Sequence, residues 1–195
     1  MRVLVAYASN AGSTADVAKA IGEEIERNGA TVEVRPVAGI EATGLSNYDA
    51  YVIGAPMILG WHRDGAHFLK TNRGILAQKP TAVFVTALSL TKTDLPATAF
   101  PVYVDPKLAK APLNAKRLKL KERYARLSNY LGPIVKSAPG VKFVSVGFFG
   151  GKLDFGRLKL PQMLFTMLLI GAQPGDYRNW EAIRGWAREV AEKLR

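Results

Sequence analysis

The chain opens with the sequence MRVLVAYASNAGST (residues 1–14), in which an apolar run leads directly into a polar loop. Residues 3–8 are continuously apolar, which is typical of a strand that is covered on both faces of a parallel sheet. Residues 9–14 are polar, and a helical pattern of apolar residues starts at Ser13. A secretory signal peptide has a longer apolar region and a cleavage site, so the pattern predicts a first core strand instead.

Four further strand-like runs follow, and helical patterns separate them. The runs are residues 31–34, 51–55, 81–87 and 141–149; the helical patterns are residues 13–28, 64–71 with a short turn at 75–78, 115–131 and 180–194. Strands that alternate with helices predict a parallel sheet with right-handed crossovers, hence a doubly wound α/β domain of five strands with helices on both faces. We predict a single domain over residues 1–195, with inserts at about 88–114 and 150–179. Connections that long in a compact domain are usually functional.

Composition excludes several classes of protein. The 195 residues are 48% apolar and 22% charged and include no cysteine. This excludes a disordered chain, a disulfide scaffold, a thiolate metal site and thiol catalysis, and it fits a reducing compartment, so we predict a cytoplasmic protein. His62 and His67 are the only histidines, and neither has a partner at metal-ligand spacing. A surface or capping role is therefore predicted for both, with no metal site.

The polar loop after the first strand has the composition of an anion site. Doubly wound sheets bind ligands beyond the carboxyl ends of their strands, and this loop follows the first such end. Its hydroxyls, amide and glycine can surround a phosphate together with the N–H groups that open the next helix. The loop consists of Ser9, Asn10, Ala11, Gly12, Ser13 and Thr14. A Walker loop and a G-x-G-x-x-G fingerprint are both absent. From these residues alone, an ordinary Ser/Thr helix cap with a turn glycine is an equally good interpretation.

The same loop resembles the FMN-phosphate loop of flavodoxins, in which hydroxyls flank a glycine and end in threonine. Asn47-Tyr48-Asp49 followed by residues 51–55 is similar to the third strand of that superfamily. The resemblance implies a flavodoxin-like sheet of strand order 2-1-3-4-5 with bound FMN. It also implies two loops around the isoalloxazine ring, formed by Pro56, Met57, Ile58, Leu59, Gly60, Trp61 and His62 on one side and by Thr86, Ala87, Leu88 and Ser89 on the other.

The first of these two loops is predicted to contact the flavin through several kinds of residue. Gly60 can present its peptide to flavin N5 in either orientation, because glycine tolerates positive φ. Met57 and Ile58 would supply apolar walls, and Trp61 would stack on the ring. The alternative for Trp61 is packing on the neighbouring helix. No general acid or base is assigned, because FMN itself carries the redox chemistry.

Within the flavodoxin superfamily, the chain resembles the menaquinone-dependent protoporphyrinogen oxidases. Residues 54–60 match part of their glycine and histidine pattern, with His62 one place early, and Trp180-Glu181 with Trp186-Ala187-Arg188-Glu189 is similar to their carboxyl-terminal sequence. This resemblance implies an FMN-dependent oxidoreductase that passes electrons from a reduced substrate, such as a porphyrinogen, to a quinone at the membrane surface. Two alternatives stay open: a diffusible flavodoxin-type electron carrier between protein partners, and a flavin-free binding module with the same fold.

Most of the positive charge lies in one segment. Of the net charge of +11, residues 106–142 contribute +9, because they hold ten basic residues against Glu122 alone. The helix predicted at 115–131 would carry basic residues on one face (Lys116, Lys119, Arg123 and Arg126) and apolar residues on the other (Leu120, Tyr124, Leu127 and Leu131). Basic amphipathic helices attract anionic lipid headgroups. No nucleic-acid motif accompanies the basic face, so an anionic membrane surface is favoured over nucleic acid.

A second segment, residues 158–170, adds apolar length. It is apolar nearly all round from Met163 onward, with Pro161 suited to a first helical turn and Gly171 to a helix end. Such a helix must be buried in a core, in a partner or in lipid. At a length of about 15 Å it would enter one leaflet without crossing the bilayer. We predict contact with lipid or a lipophilic ligand, and hence a peripheral protein on the inner face of the cell membrane; the alternative is packing in the core or in a homodimer.

Overall fold

Six parallel strands form the central sheet of the computed structural model, which describes residues 1–58, 60–92, 97–114, 117–153 and 173–195. These six strands are β1 (Arg2–Tyr7), β2 (Thr31–Pro36), β3 (Ala50–Met57), β4 (Thr81–Ala87), β6 (Val102–Val104) and β8 (Phe143–Gly150). Four further strands, β5 (Leu90–Thr91), β7 (Ala109–Lys110), β9 (Lys152–Leu153) and β10 (Gly175–Asp176), form two separate two-stranded sheets, β5 with β7 and β9 with β10. The helices are α1 (Ser13–Arg27), α2 (Arg63–Leu76), α3 (Leu120–Tyr124), α4 (Leu127–Ser137) and α5 (Trp180–Lys193). A 3₁₀ helix, Ala42–Asn47, connects β2 to β3.

The strand order across the sheet is β2-β1-β3-β4-β8-β6, and every neighbouring pair is parallel. The five predicted strands therefore take the order 2-1-3-4-5, which confirms the doubly wound α/β fold class. The additional strand, β6, comes from the first insert and pairs with β8. The sequence pattern does not reveal β6 because it has only three residues, all half-buried, so it offers no alternation to detect.

Helices α1 and α5 cover one face of the sheet and pack against each other. Their apolar side chains form a buried layer, as the helical spacing predicts, and this layer includes Val17, Ala18, Ile21, Ile25, Ile183, Trp186, Ala187 and Val190. The indole N–H of Trp186 donates to Ser145 Oγ on β8 at 2.9 Å. Glu24 on α1 is only 6% exposed and accepts a hydrogen bond from Arg188 on α5 at 3.2 Å. Because unpaired buried polar groups are costly, these two contacts fix α5 on the sheet and on α1.

Helices α2 and α4 cover the other face. Helix α2 is longer than predicted: it continues to Leu76, and the residues directly after it, 77 and 78, form the turn that was predicted at 75–78. The side chains that these two helices bury include Phe68, Leu69, Leu76, Leu127, Tyr130, Leu131 and Ile134. The core therefore has two layers, one on each face of a sheet whose central strands are fully buried.

The prediction of one continuous helix over residues 115–131 is wrong. Helix α3 ends at Tyr124 and α4 begins at Leu127, because Arg126 between them has an extended backbone with φ −71° and ψ 145°. Leu127 and Leu131 are buried, whereas Leu120 is 74% exposed and Tyr124 is 41% exposed. The predicted apolar stripe is thus divided between the core and the surface.

Some predicted features lie outside the described residues. These are Lys116 of the basic face, four residues (93–96) of the first insert, and the whole apolar segment 158–170. What the sequence predicts for these residues therefore remains a prediction. Within the described ranges, no helix is both long enough and apolar enough to cross a membrane.

Candidate functional site

The carboxyl ends of β1, β3, β4 and β8 meet at one edge of the sheet and surround a cleft. Ligand sites of doubly wound sheets lie at this edge. The residues that line the cleft are Ser9, Asn10, Ala11, Ser13, Thr14, Pro56, Met57, Ile58, Thr86, Ala87, Leu88, Gly151, Lys152 and Leu153. The structure thus brings together most of the predicted site residues. Of those in the described ranges, Gly12, Gly60, Trp61 and Ser89 are not among the lining residues, and Leu59 lies outside those ranges.

Gly12 shapes the loop after β1. Its φ is +88°, a conformation that residues with a Cβ rarely adopt, and it directly precedes α1. The N–H of Gly12 donates to Ser9 Oγ at 3.0 Å, which closes the loop into a turn. In the described part of the chain, no side chain caps the amino terminus of α1. The positive end of this helix dipole therefore faces an anion that enters the loop without competition from a capping side chain.

Three side chains of the loop after β1 reach the loops that follow the other strands. The three hydrogen bonds join Asn10 Oδ1 to His62 Nε2 (2.8 Å), Ser13 Oγ to the backbone N of Lys152 (2.8 Å) and Thr14 Oγ1 to Thr86 Oγ1 (2.8 Å). The partners lie after β3, after β8 and at the end of β4, respectively. Thr14 and Thr86 are buried. The polar wall of the cleft is therefore positioned by direct contacts with every other strand end that surrounds it.

His62 has the capping role that the sequence predicts. Its Nδ1 accepts a hydrogen bond from the N–H of Asp64 at 3.3 Å, at the start of α2. Because Asn10 Oδ1 is an acceptor, Nε2 must carry the proton in the His62–Asn10 bond. The second histidine, His67, lies further along α2 near Thr71. In the part of the chain that the structure describes, no group of three or more His, Asp or Glu residues could hold a metal ion.

The loop after β3 forms the apolar side of the cleft. Pro56, Met57 and Ile58 line it, and Gly60 has the positive φ, +108°, for which glycine was predicted. The hydroxyl of Tyr124 on α3 donates to the carbonyl oxygen of Ile58 at 3.4 Å. Burial raises the pKa of Tyr124, and a hydrogen bond with the Gly60 backbone opposes that rise. Tyr124 therefore supports the loop after β3 from outside, through Ile58 and Gly60.

Trp61 lies away from the cleft wall. Its side chain is only 6% exposed and belongs to the core on the α2 side of the sheet. A Cβ added to Gly65 would lie 3.5 Å from Trp61 Cζ2, so the indole packs against the glycine in the first turns of α2. In the structure, Trp61 therefore packs on the neighbouring helix, which was the alternative to stacking on the flavin ring. Gly65 provides the flat surface on which a ring of this size fits.

The loop after β4 contributes three of its four predicted residues. Thr86, Ala87 and Leu88 line the cleft. Ser89 does not, and its carbonyl oxygen accepts a hydrogen bond from the hydroxyl of Tyr130 on α4 at 3.0 Å. Ser89 therefore anchors the loop to the core layer behind the cleft.

The sequence analysis missed the segment that follows β8. Gly151, Lys152 and Leu153 line the cleft, and the N–H of Gly151 donates to the carbonyl oxygen of Ala87 at 2.9 Å. Lys152 is the only charged residue among the lining residues that the structure describes. These residue types carry no recognisable binding pattern, so only their position after a strand of the sheet could have identified them.

Arg178, near the end of the second insert, connects this part of the chain to α1. Its guanidinium donates to Asp16 at 2.7 Å and to Asp176, and it lies 4.5 Å over the ring of Trp180. Trp180, the first residue of α5, is 37% exposed. The hydrogen bonds from Arg178 lower the pKa of Asp176. The carboxylate of Asp176 therefore remains ionised well below neutral pH, so Arg178 continues to link β10 to α1 there.

Comparisons with known proteins agree with the fold of this chain. A family model described as a flavodoxin domain matches residues 4–165, and no curated protein sequence matches the chain. Three solved structures that the chain resembles are a flavodoxin from the domain Archaea (14% identity, 100% of this chain and 99% of that chain, TM-score 0.54), the reduced flavodoxin of Megasphaera elsdenii (11%, 97% and 98%, 0.55) and flavodoxin 2 of Bacillus cereus (16%, 99% and 99%, 0.53).

At these identities the structural likeness establishes the fold alone, whereas the family model covers most of the chain and establishes the family. The fold class predicted from the resemblance is confirmed, and the match is to the flavodoxin domain as a whole. Flavodoxin domains bind FMN and transfer electrons. The chain therefore belongs to the flavodoxin domain family, and its cofactor is FMN.

Proposed function

We propose that the chain is an FMN-dependent oxidoreductase of the protoporphyrinogen oxidase type, which passes electrons from a reduced substrate to a quinone at the inner surface of the cell membrane. The observation that supports this proposal is the position of the basic segment. Residues 106–142 hold +9 of the +11 net charge, and Tyr124 within them contacts Ile58 on the cleft wall. The charge that attracts anionic lipid therefore borders the flavin cleft, where an apolar quinone would have to enter.

The residues of the cleft fit FMN. Gly12, with its positive φ, lets the loop 9–14 curve before α1, and the loop offers hydroxyls and helix N–H groups, which are suitable donors for a phosphate monoester. We assign the phosphate to Ser9, Asn10, Ala11, Gly12, Ser13 and Thr14. We assign the two sides of the ring to Pro56, Met57 and Ile58 on one side and to Thr86, Ala87 and Leu88 on the other, with Met57, Ile58 and Leu88 as the apolar surface. FMN supplies the redox chemistry when bound, and these residues bind it, orient it and exclude water.

The proposed activity is tested by turnover of the FMN-loaded protein. We expect a yellow protein that reduces a water-soluble menaquinone analogue when a porphyrinogen is added, as measured by quinone absorbance and porphyrin fluorescence. The protein stripped of FMN is the control and should be inactive. An FMN-loaded protein that is reduced chemically but turns over neither compound would contradict the proposal and favour the diffusible electron carrier. A wild-type protein that stays colourless in excess FMN would favour the flavin-free module.

Tyr124→Phe is expected to weaken FMN binding roughly 2- to 12-fold, because a neutral hydrogen bond contributes about 0.5–1.5 kcal/mol. The substitution removes the hydroxyl that donates to Ile58 and contacts Gly60, so the turn beside the flavin ring loses its outside support. Fluorescence titration with FMN measures the dissociation constant, and the reduction potential of the bound FMN should shift as well.

Tyr130→Phe is the matched control for Tyr124→Phe. Its hydroxyl also joins the α3–α4 region to a cleft loop, but the acceptor is Ser89, which is not on the cleft wall. We expect Tyr130→Phe to lower the melting temperature slightly and to leave the FMN dissociation constant within twofold of wild type. Equal losses of FMN affinity in the two variants would show that Tyr124 acts only through general stability.

A further inference from the structure

The two most exposed large apolar side chains of the described chain lie close together in the sequence, within the basic segment. Leu113 is 75% exposed and Leu120 is 74% exposed, whereas the next most exposed such residue, Val135, reaches 44%. Single exposed leucines are ordinary. Two that protrude this far in one short segment need a separate explanation.

A single carboxylate holds this segment together. Glu122 accepts hydrogen bonds from the N–H of Leu113 at 2.9 Å and from the N–H of Lys119 at 2.7 Å. These backbone hydrogen bonds lower the pKa of Glu122, so the carboxylate that makes them is present at neutral pH and is lost only when the pH falls below the usual range of a glutamate. We call the described residues 113–114 and 117–124 the Glu122 segment.

The Glu122 segment is strongly cationic at its surface. Arg117, Lys119, Lys121 and Arg123 are all exposed. Glu122 is the one acidic residue within residues 106–142, and both of its oxygens accept from the backbone. The segment therefore presents two protruding leucines together with four exposed cations, and both oxygens of its only carboxylate are hydrogen-bonded to the backbone.

We propose that the Glu122 segment docks on an anionic lipid surface, with Leu113 and Leu120 inserted among the headgroups. Basic side chains beside exposed leucines are the composition of membrane-surface segments. A protein partner is less well matched, because lysine is depleted in protein–protein interfaces and leucine is under-represented among their hot spots. This inference rests on the proposed function, since it identifies the surface through which the cleft would meet a membrane quinone.

The position of the segment relative to the cleft gives the docking a direction. Tyr124, the last residue of α3, reaches the carbonyl oxygen of Ile58, and Ile58 lines the cleft. Insertion of Leu113 and Leu120 would therefore bring the apolar side of the cleft next to the lipid. The cations would bind headgroups, and each lysine or arginine near an anionic surface strengthens binding about fivefold.

The first test is partition of the FMN-loaded protein into vesicles of phosphatidylglycerol and phosphatidylcholine. Each leucine that leaves water should strengthen binding about tenfold, so the double variant Leu113→Ser with Leu120→Ser should bind about a hundredfold more weakly. Val135→Ser removes an exposed apolar side chain outside the segment and should bind as wild type does. Both leucines are largely in solvent, so the double variant should fold. Binding of the double variant within twofold of wild type would overturn the proposal.

The second test reports insertion directly. Because the chain has no cysteine, Leu120→Cys and Val135→Cys each provide a single site for an environment-sensitive fluorophore. On anionic vesicles the label at position 120 should shift to the blue and become accessible to lipid-borne quenchers, whereas the label at position 135 should not. A label at position 120 that remains in water while the protein is bound would overturn the proposal.

Two further outcomes separate this inference from its rivals. Quinone reduction measured with the water-soluble analogue does not need a membrane, so activity without vesicle binding would overturn the docking surface and leave the proposed chemistry standing. A wild-type protein that ignores anionic vesicles but binds poly-glutamate at the same salt concentration would instead assign the segment to an acidic protein partner.

Discussion

Gly12→Val is expected to weaken FMN binding roughly 10- to 150-fold, which corresponds to the loss of about 1.5–3 kcal/mol from hydrogen bonds to a charged group. Gly12 has φ +88° immediately before α1, and a β-branched residue is strained there. The loop would have to leave the conformation in which Ser9 Oγ accepts the Gly12 N–H. Fluorescence quenching of FMN during titration measures the dissociation constant, and a thermal melt reports the stability of the same sample.

Gly39→Val is the control for backbone strain. Gly39 has a similar φ, +84°, and has no neighbouring atom within 4 Å of an added Cβ, but it is not on the cleft. We expect this variant to lose stability without losing FMN affinity.

Thr14→Val, which removes the hydroxyl that contacts Thr86, should weaken FMN binding about tenfold. If Gly12→Val and Gly39→Val affect FMN binding equally, the phosphate does not lie in the loop after β1.

Gly54→Ala is expected to destabilise the fold by about 3 kcal/mol, near the upper end of the usual cost of overpacking a core. Gly54 on β3 is paired with Phe84 on β4, and a Cβ at position 54 would lie 1.9 Å from Phe84 Cζ. Phe84 is fully buried, so its ring has no free space to enter. For a chain of this length, the melting temperature should fall by about 6–12 °C, which circular dichroism or calorimetry can measure.

Two variants accompany Gly54→Ala. Gly74→Ala lies on the exposed surface of α2 with no atom within 4 Å of its added Cβ, and it should stabilise the protein by about 0.5–1 kcal/mol because alanine is the better helix former. Phe84→Leu should cost less in the Gly54→Ala background than in the wild type, because the shorter side chain makes room for the new methyl group. A Gly54→Ala variant that melts within 2 °C of wild type would show that β3 and β4 can shift apart without loss.

The elements that the sequence predicts correctly are those in which a local pattern and the tertiary environment agree. Strands β1, β3, β4 and β8 are covered on both faces, so their residues are apolar without alternation, and this is visible in the sequence. The polar loop at 9–14 is also visible, because it interrupts an apolar run where a helix begins. Its contacts with three other loops follow from the parallel sheet, which places all the carboxyl ends at one edge.

The features that the sequence does not predict depend on contacts between distant residues. Leu120 has helical spacing from Leu127 but is exposed, because the extended backbone of Arg126 separates α3 from α4. Glu122 on α3 instead accepts a hydrogen bond from the N–H of Leu113. The direction of Trp61 depends on the space above Gly65 in the next helix. Neither arrangement can be predicted from the spacing of apolar residues along the sequence.

The packing of α1 against α5 constrains when this chain can fold. Residues 13–27 meet residues 180–193, and contacts of such large sequence separation slow folding, because a long loop must close before they form. On the ribosome, Ile21 and Ile25 would remain exposed to water until residues 180–193 have emerged, and surfaces of this kind make incomplete chains prone to aggregation. The loop that we assign to the phosphate directly precedes α1. A nascent chain would therefore acquire FMN only after residues 180–193 have emerged and packed on α1, so cofactor loading would follow the synthesis of nearly all of this domain.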